Sequence, residues 1–209
     1  MRKYTLVLLL CLSLLHVSAC TPKTITCEDG YENVDGQCEW IRTAFEQKLD
    51  NTEALKDYTL AITVTLGEET TLLTIKFDEL KSEVSVGHVH EYFSEEAGTL
   101  YHYTQTLEGY HKAEVTKSTL DIYHFYQGLF EKDFTLQNGK YLLNYGQYSF
   151  IEAFAASFDE DATYENFTMT LGEQFIEEIK LDIRNGEQVY KLAMAFSDYN
   201  QTEVEVPAL

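Results

Sequence analysis

Three kinds of side chain in this sequence could carry chemistry: histidines, clustered carboxylates and cysteines. Five histidines, His88, His90, His102, His111 and His124, lie in the body of the chain. His88 and His90 stand two apart, which on a strand projects both from one face, and His102 is expected on the next strand but one. Imidazoles converging in this way hold zinc or copper, and the alternative is that they are partly exposed strand residues among tyrosines. The sequence assigns no metal and no cofactor. Carboxylates cluster at Glu68-Glu69, Glu95-Glu96, Asp159-Glu160-Asp161 and Glu177-Glu178. The third cluster continues into Ala162-Thr163, without the alternating oxygen ligands, central glycine and closing glutamate of a calcium-binding loop. No nucleophile elbow, metalloprotease helix, phosphate loop or dinucleotide fingerprint is present. The expectation is a protein that is not an enzyme.

The chain opens MRKYTLVLLLCLSLLHVSAC. Arg2 and Lys3 form a positive start, Leu6 to Leu15 an apolar core of signal-peptide length, and Ser18-Ala19 a small-residue site before Cys20. An apolar run of this length is short for a membrane span. The quartet Val17-Ser18-Ala19-Cys20 resembles the lipobox of bacterial lipoproteins. That resemblance implies a diacylglyceryl group on the Cys20 thiol and cleavage after Ala19. Two or more acyl chains anchor durably where one binds marginally, so the expected address is the extracytoplasmic face of the cell membrane.

With Cys11 removed in the signal and Cys20 acylated, Cys27 and Cys38 remain of the four cysteines. A single pair in an oxidising compartment points to a disulfide. The intervening CEDGYENVDGQC carries Gly30 and Asp35-Gly36, turn formers that let the sulfurs meet, and it is similar to small cysteine loops that follow the anchor in some lipoproteins. A zinc site is the other reading, but two thiols without a histidine pair fall short of a ligand set. Residues 21–26 would form a tether of about 20 Å when extended.

The formal charge of the chain is −20, and loss of Arg2 and Lys3 with the signal takes it to about −22. Nucleic acid is excluded as a partner, because phosphate binding requires lysine and arginine. A hydrophobic content of 44% with 15 Tyr and 12 Phe is too rich for a disordered acidic chain.

Helical spacing of apolar residues predicts helices over 40–58, with Thr52 capping a second turn, over 118–130, and over 148–158, where Phe150, Phe154 and Phe158 fall four apart. Period-two alternation predicts a hairpin from Leu60, Ile62, Val64 and Leu66 to Leu73, Ile75 and Phe77. Four more strands follow over 81–87, 89–93, 99–107 and 110–116, and a hairpin turns at Asn138-Gly139. A C-terminal meander carries Phe167, Met169 and Leu171, then Phe175, Ile179, Leu181 and Ile183, then Tyr190, Leu192, Met194 and Phe196, ending in Val204 and Val206. The expected fold is α+β, with about ten antiparallel strands and two or three helices. Its segments are 1–19 signal peptide, 20–39 anchor and disulfide loop, and 40–209 a single domain.

A helix, a long antiparallel meander, helices before the last strands, and an ending Phe196-Ser197-Asp198-Tyr199 then Glu203-Val204-Glu205-Val206-Pro207 together resemble the lipoprotein-carrier class of half-barrels. That class includes the periplasmic lipoprotein chaperone, its outer-membrane receptor, and mycobacterial and Firmicute lipoproteins of similar fold. The resemblance implies a strongly curved sheet wrapped around helices, with a lipid or other apolar small molecule between them. Leu73, Ile75, Phe77, Phe150, Phe154 and Phe167 are then the expected walls. The same residues close-packed would instead make a filled core, and the protein an envelope lipoprotein recruiting a protein or cation through its acidic, tyrosine-rich surface.

Acylation is directly measurable. The intact mass of membrane-extracted protein is expected to equal residues 20–209 plus lipid, and Cys20→Ser to leave the chain uncut and unacylated. A wild-type mass matching bare polypeptide would sink the anchor.

Overall fold

The computed structural model describes residues 26–28, 30–116 and 118–208. The expected signal peptide, the Val17–Cys20 quartet with its acylation site, and most of the tether lie outside the described residues. The chain divides into two compact units, one ending at Ile41 and the other beginning at Arg42.

In the first unit, β1 (Tyr31–Val34) and β2 (Gln37–Trp40) form an antiparallel hairpin with Asn33 opposite Cys38. Its turn, Asp35-Gly36, takes positive φ at both residues, 50° and 85°, and Gly36 N donates to Asn33 Oδ1 at 2.9 Å. Cys27 and Cys38 are joined by a disulfide, their Cα atoms 5.5 Å apart. Residues 31–39 are all exposed. Closing so short a loop stabilises by about 3 kcal/mol in the chain-entropy account. The helix expected from Trp40 does not start there, because Trp40 closes β2 opposite Tyr31.

The second unit begins with α1 (Ala44–Glu53), entered through a capping box. Thr43 Oγ1 accepts from Glu46 N, and Glu46 Oε2 accepts from Thr43 N, both at 3.2 Å. These bonds satisfy two of the donors that a helix start leaves open, which is why the helix begins four residues later than the apolar spacing suggests. Six strands follow: β3 (Asp57–Leu66), β4 (Glu69–Asp78), β5 (Lys81–Val86), β6 (Val89–Glu96), β7 (Thr99–Thr106) and β8 (Gly109–Val115). After two short 3-10 turns, Leu120–His124 and Glu131–Asp133, come β9 (Phe134–Gln137) and β10 (Lys140–Leu143). Helix α2 (Ser149–Ala156) precedes β11 (Thr163–Leu171), β12 (Ile176–Asn185) and β13 (Gln188–Ser197).

Strands β3 to β13 make one eleven-stranded sheet in the order 8-7-6-5-4-3-13-12-11-10-9, every pairing antiparallel. Its register puts Leu60, Ile62 and Val64 of β3 level with Ile75 and Leu73 of β4 and with Phe196, Met194 and Leu192 of β13. Ile179, Leu181 and Ile183 of β12 extend the same apolar face. The opposite face carries Thr59, Ala61, Thr63, Lys76, Ala193 and Lys180. Phe45 and Leu49 of α1 and Ile151, Phe154 and Ala155 of α2 are buried in one cluster with the apolar face.

The expected helix over 118–130 is a single 3-10 turn followed by irregular chain. Ile122, Tyr123, His124, Phe125 and Tyr126 are poor helix formers, and Gly128 takes φ +73°. Leu120, Phe125, Tyr126 and Leu129 are all buried, at spacings no single helical stripe reproduces. Val204 and Val206 likewise do not extend the last strand. Asp198 and Asn200 take φ 53° and 57°, and the tail returns across β3 and β4. Asn200 N donates to Asp57 O at 2.8 Å, and Val204 N to Asp78 Oδ2 at 2.9 Å.

Thr52 fastens α1 to the sheet instead of capping a second turn. Its hydroxyl donates to Lys48 O at 2.8 Å and accepts from Ile176 N at 2.9 Å, and the residue is 1% exposed. Tyr126 presents the converse case, since its buried hydroxyl has no hydrogen-bond partner among the described residues. Thr52→Val, which strips the Ile176 N–H of its acceptor, is expected to lower unfolding free energy by about 1–3 kcal/mol. Tyr126→Phe is expected to be neutral or to stabilise by up to about 1 kcal/mol. Urea unfolding of both variants checks the pair, and a large loss for Tyr126→Phe would show that its hydroxyl is bonded.

Candidate functional site

On the apolar face, β3, β4 and β13 bring Ile62, Val64, Leu73 and Leu192 into adjacent register. The 120–124 turn lays Ile122 and Tyr123 over one side of this floor. Phe154, Ser157 and Phe158, from α2 and the residues that end it, cover the other. Between them is an apolar chamber of about 190 Å³. It adjoins a wider cleft of about 760 Å³ lined by Ser118, Thr119, His124, Phe125 and Gln127 on one side and by Phe150 and Ala153 on the other. Ile122 and Ser157 border both spaces, so chamber and cleft are neighbours at one site.

The spacing in α2 explains this division. Ile151, Phe154 and Ala155 point into the core, while Phe150, Ala153 and Ser157, three and four apart, share the flank facing the cleft. Phe150 is 54% exposed there. Ser157 closes the helix by donating from Oγ to Phe154 O at 2.6 Å.

His124 sits at the mouth with its Nε2 2.8 Å from the Tyr58 hydroxyl. Its ring lies 6.0 Å from that of Phe77 and 6.2 Å from that of Tyr126. Burial pushes the Tyr58 phenol well above its ordinary value, and that of Tyr123 upward as well, because the low-dielectric interior disfavours a phenolate. Both hydroxyls are therefore neutral at physiological pH. Among the lining residues whose side chains the structure describes, none is Asp, Glu, Lys or Arg.

The six wall residues expected from the sequence separate into two groups. Leu73 and Phe154 line the chamber and Phe150 the cleft. Ile75 is fully buried opposite Leu60, and Phe77 stacks on Tyr58 with centroids 4.6 Å apart. Phe167 packs against Phe134 and Phe125 and borders a different recess of about 940 Å³ between α2, the 143–147 loop and β11. That recess carries the carboxylates of Glu152, Glu160, Asp161 and Glu165. Ile62, Val64, Leu192, Ile122, Tyr123, His124, Ser157 and Phe158 were not singled out as lining residues. Ile62, Val64 and Leu192 belong to the alternating strand rows, but their common position depends on a strand pairing that no local spacing reveals.

The histidines do not converge. His88 lies in the turn between β5 and β6, His90 on β6, and His102 on β7, which is the immediate neighbour of β6 and not the next strand but one. His102 is opposite Phe93, an odd number of residues from His90, so the two imidazoles point to opposite faces. Each has a carboxylate: His90 Nδ1 is 2.8 Å from Glu83 Oε1, and His102 Nε2 is 2.9 Å from Glu91 Oε2. The His102 ring also stacks on Phe93 at 4.4 Å. Among the described residues no group of three His, Cys, Asp or Glu is arranged to hold a metal ion.

No protein-family model matches the chain, and no curated protein matches it.

Partial burial of Glu83 raises its pKa, but hydrogen bonds and charge from Lys76, 3.0 Å away, and from His90 outweigh this and hold the carboxyl below its ordinary value. A depressed carboxylate stabilises the fold above its unfolded pKa, and that contribution disappears as pH falls through the folded pKa. The stability difference between wild type and Glu83→Gln is therefore expected to be present above about pH 4.3 and to shrink as the pH falls below it. Urea midpoints from pH 7 to pH 3 test this, and a difference independent of pH would contradict it.

Proposed function

We propose that the protein is a non-enzymatic lipoprotein, held by acylated Cys20 on the extracytoplasmic face of the cell membrane. In this reading the sheet curves about its helices as a half-barrel and binds a lipid or other apolar ligand. The ligand's hydrocarbon lies on Ile62, Val64, Leu73 and Leu192, and its outer part lies between the 118–127 segment and α2. The observation that carries the reading is the apolar chamber continued by the larger cleft. Soluble proteins rarely leave a contiguous apolar concavity facing water without a use for it.

A second reading is an interaction lipoprotein with a filled core. It is favoured by the close packing of Ile75, Phe77 and Phe167, three of the six expected walls. The carboxylate-bearing recess beside α2 would then face a cationic partner.

Fluorescence of the neutral apolar probe N-phenyl-1-naphthylamine distinguishes the two. The first reading expects a saturable rise that Leu73→Trp, by filling the chamber, weakens by about tenfold or more. Leu136→Trp, an exposed position on β9, should leave the rise intact. Absence of saturable binding by wild type would leave the second reading standing.

A further inference from the structure

Resting on the cleft-binding reading for its purpose, we infer that the tips of the β5–β6 and β7–β8 hairpins form a membrane-docking surface, which inserts Val86, Val89 and Leu107 into the interface of a zwitterionic bilayer. One apolar row crosses five strands. Met194 of β13 is opposite Ile62 of β3, Ile62 opposite Leu73 of β4, Leu73 opposite Val86 of β5, and Val86 opposite Val89 of β6. Met194 and Ile62 are buried, Leu73 lines the chamber, and Val86 and Val89 are 43% and 56% exposed. The row therefore runs, with no polar residue in it, from the chamber floor out to the end of a hairpin.

Val86 and Val89 flank the two-residue turn Gly87-His88, and Leu107 stands with Glu108 in the turn between β7 and β8. Strand direction alternates along the sheet, so both turns lie at the same end of it. Leu107 is fully exposed. Side-chain bonds fix both tips. His90 N donates to Gln105 Oε1 at 3.1 Å and ties β6 to β7 beside the turns. Thr106 Oγ1 donates to Gly109 O at 3.0 Å and accepts from Glu108 N at 3.3 Å. Three aliphatic side chains are thus held out into water on an ordered frame.

The size and charge of this surface favour lipid as its occupant. Three protruding side chains fall far short of the about 800 Å² per partner that a stable protein interface buries. Insertion into a membrane interface requires apolar area and no matching shape. The turns at this end of the sheet also carry Glu68, Glu108 and Glu187, and the chain's formal charge is −20. Their carboxylates oppose anionic head groups, which leaves a zwitterionic surface as the one the tips enter. Docked there, the row gives an acyl chain leaving the bilayer an apolar path over Val89 and Val86 to Leu73.

Quenching of tryptophan by lipid brominated on its acyl chains tests the inference, with the full chain on phosphatidylcholine vesicles. Val89→Trp and Leu107→Trp are each expected to add, to the emission of the chain's single tryptophan, a signal that brominated lipid quenches. Leu80→Trp, equally exposed but in the β4–β5 turn at the opposite end of the sheet, is expected to add a signal that brominated lipid leaves intact. Combining Val89→Glu with Leu107→Trp is expected to lower the ratio of quenched to unquenched added emission about tenfold. Phosphatidylglycerol vesicles are expected to quench less than phosphatidylcholine at low salt, a difference that closes as salt rises. Quenching at all three positions alike, or at none, would overturn the inference. So would a blue shift of the Leu107→Trp emission that grows with protein concentration in the absence of lipid, which would assign the tips to a second copy of the chain. Binding of N-phenyl-1-naphthylamine separates the two ideas. Quenched tips on a protein that does not bind the probe would defeat the cleft and uphold the docking surface, and unquenched tips on a protein that binds it would do the reverse.

Discussion

The seam between β3 and β13 is the pairing on which the rest of the domain depends. It runs from Thr59 opposite Ser197 to Leu66 opposite Tyr190 and joins strands from the two ends of the domain's sequence. Without it the chain would hold two separate antiparallel meanders, β3 to β8 and β9 to β13, each with a half-covered apolar face. Across the seam those faces become one floor, on which Ile62 and Val64 meet Leu192. Loop-closure entropy grows only slowly with length, so a long ladder of matched residues can hold ends so distant in sequence. Such non-local pairing also makes for slow folding.

What lies on that floor decides whether the domain is a container or a solid. Toward β12 and β9 it is solid: Phe45 packs on Phe134 and Tyr141 at 5.0 and 4.8 Å, and Phe125 stacks on Phe154 at 4.3 Å. Toward β4 the cover is the 118–130 segment, which has too few helical residues to form a continuous rod and too many aromatic ones to leave the core. It dips inward at Leu120, Phe125, Tyr126 and Leu129 and leaves Ile122 and Tyr123 roofing the chamber. The cleft thus follows from the same residues that prevent a third helix.

Much of the fold was legible because its signals are local. Alternation marks β3, β4, β12 and β13, Asn138-Gly139 marks a hairpin with φ 51° and 78°, and the phenylalanine spacing marks α2. The disulfide followed from counting cysteines. Where reading failed, the deciding interaction was distant or was a cap. Trp40 has the right spacing for a helix, yet Thr43 and Glu46 hold the real start. Thr52 resembles a cap and instead bonds a strand well over a hundred residues away. His88 and His90 share a strand face only if no turn intervenes, and Gly87-His88 is that turn. The candidate site was half legible for the same reason. Apolar rows identify residues that leave water, and only the register across the seam distinguishes Leu73, which borders open space, from Ile75, two residues on and sealed.

The position of the seam also gives the domain a mechanical character. The chain enters the sheet at β3, in the middle of eleven strands, between β4 and β13. A pull from the N-terminal side therefore cannot unzip the sheet from an edge one hydrogen bond at a time. It would first have to tear α1 away from Gly172, Gln174 and Ile176, where Lys48, Asn51 and Thr52 hold it. It would then have to strip β3 from two partners at once. A domain built this way resists load applied along its leading segment and yields more readily at β8 and β9, its two free margins.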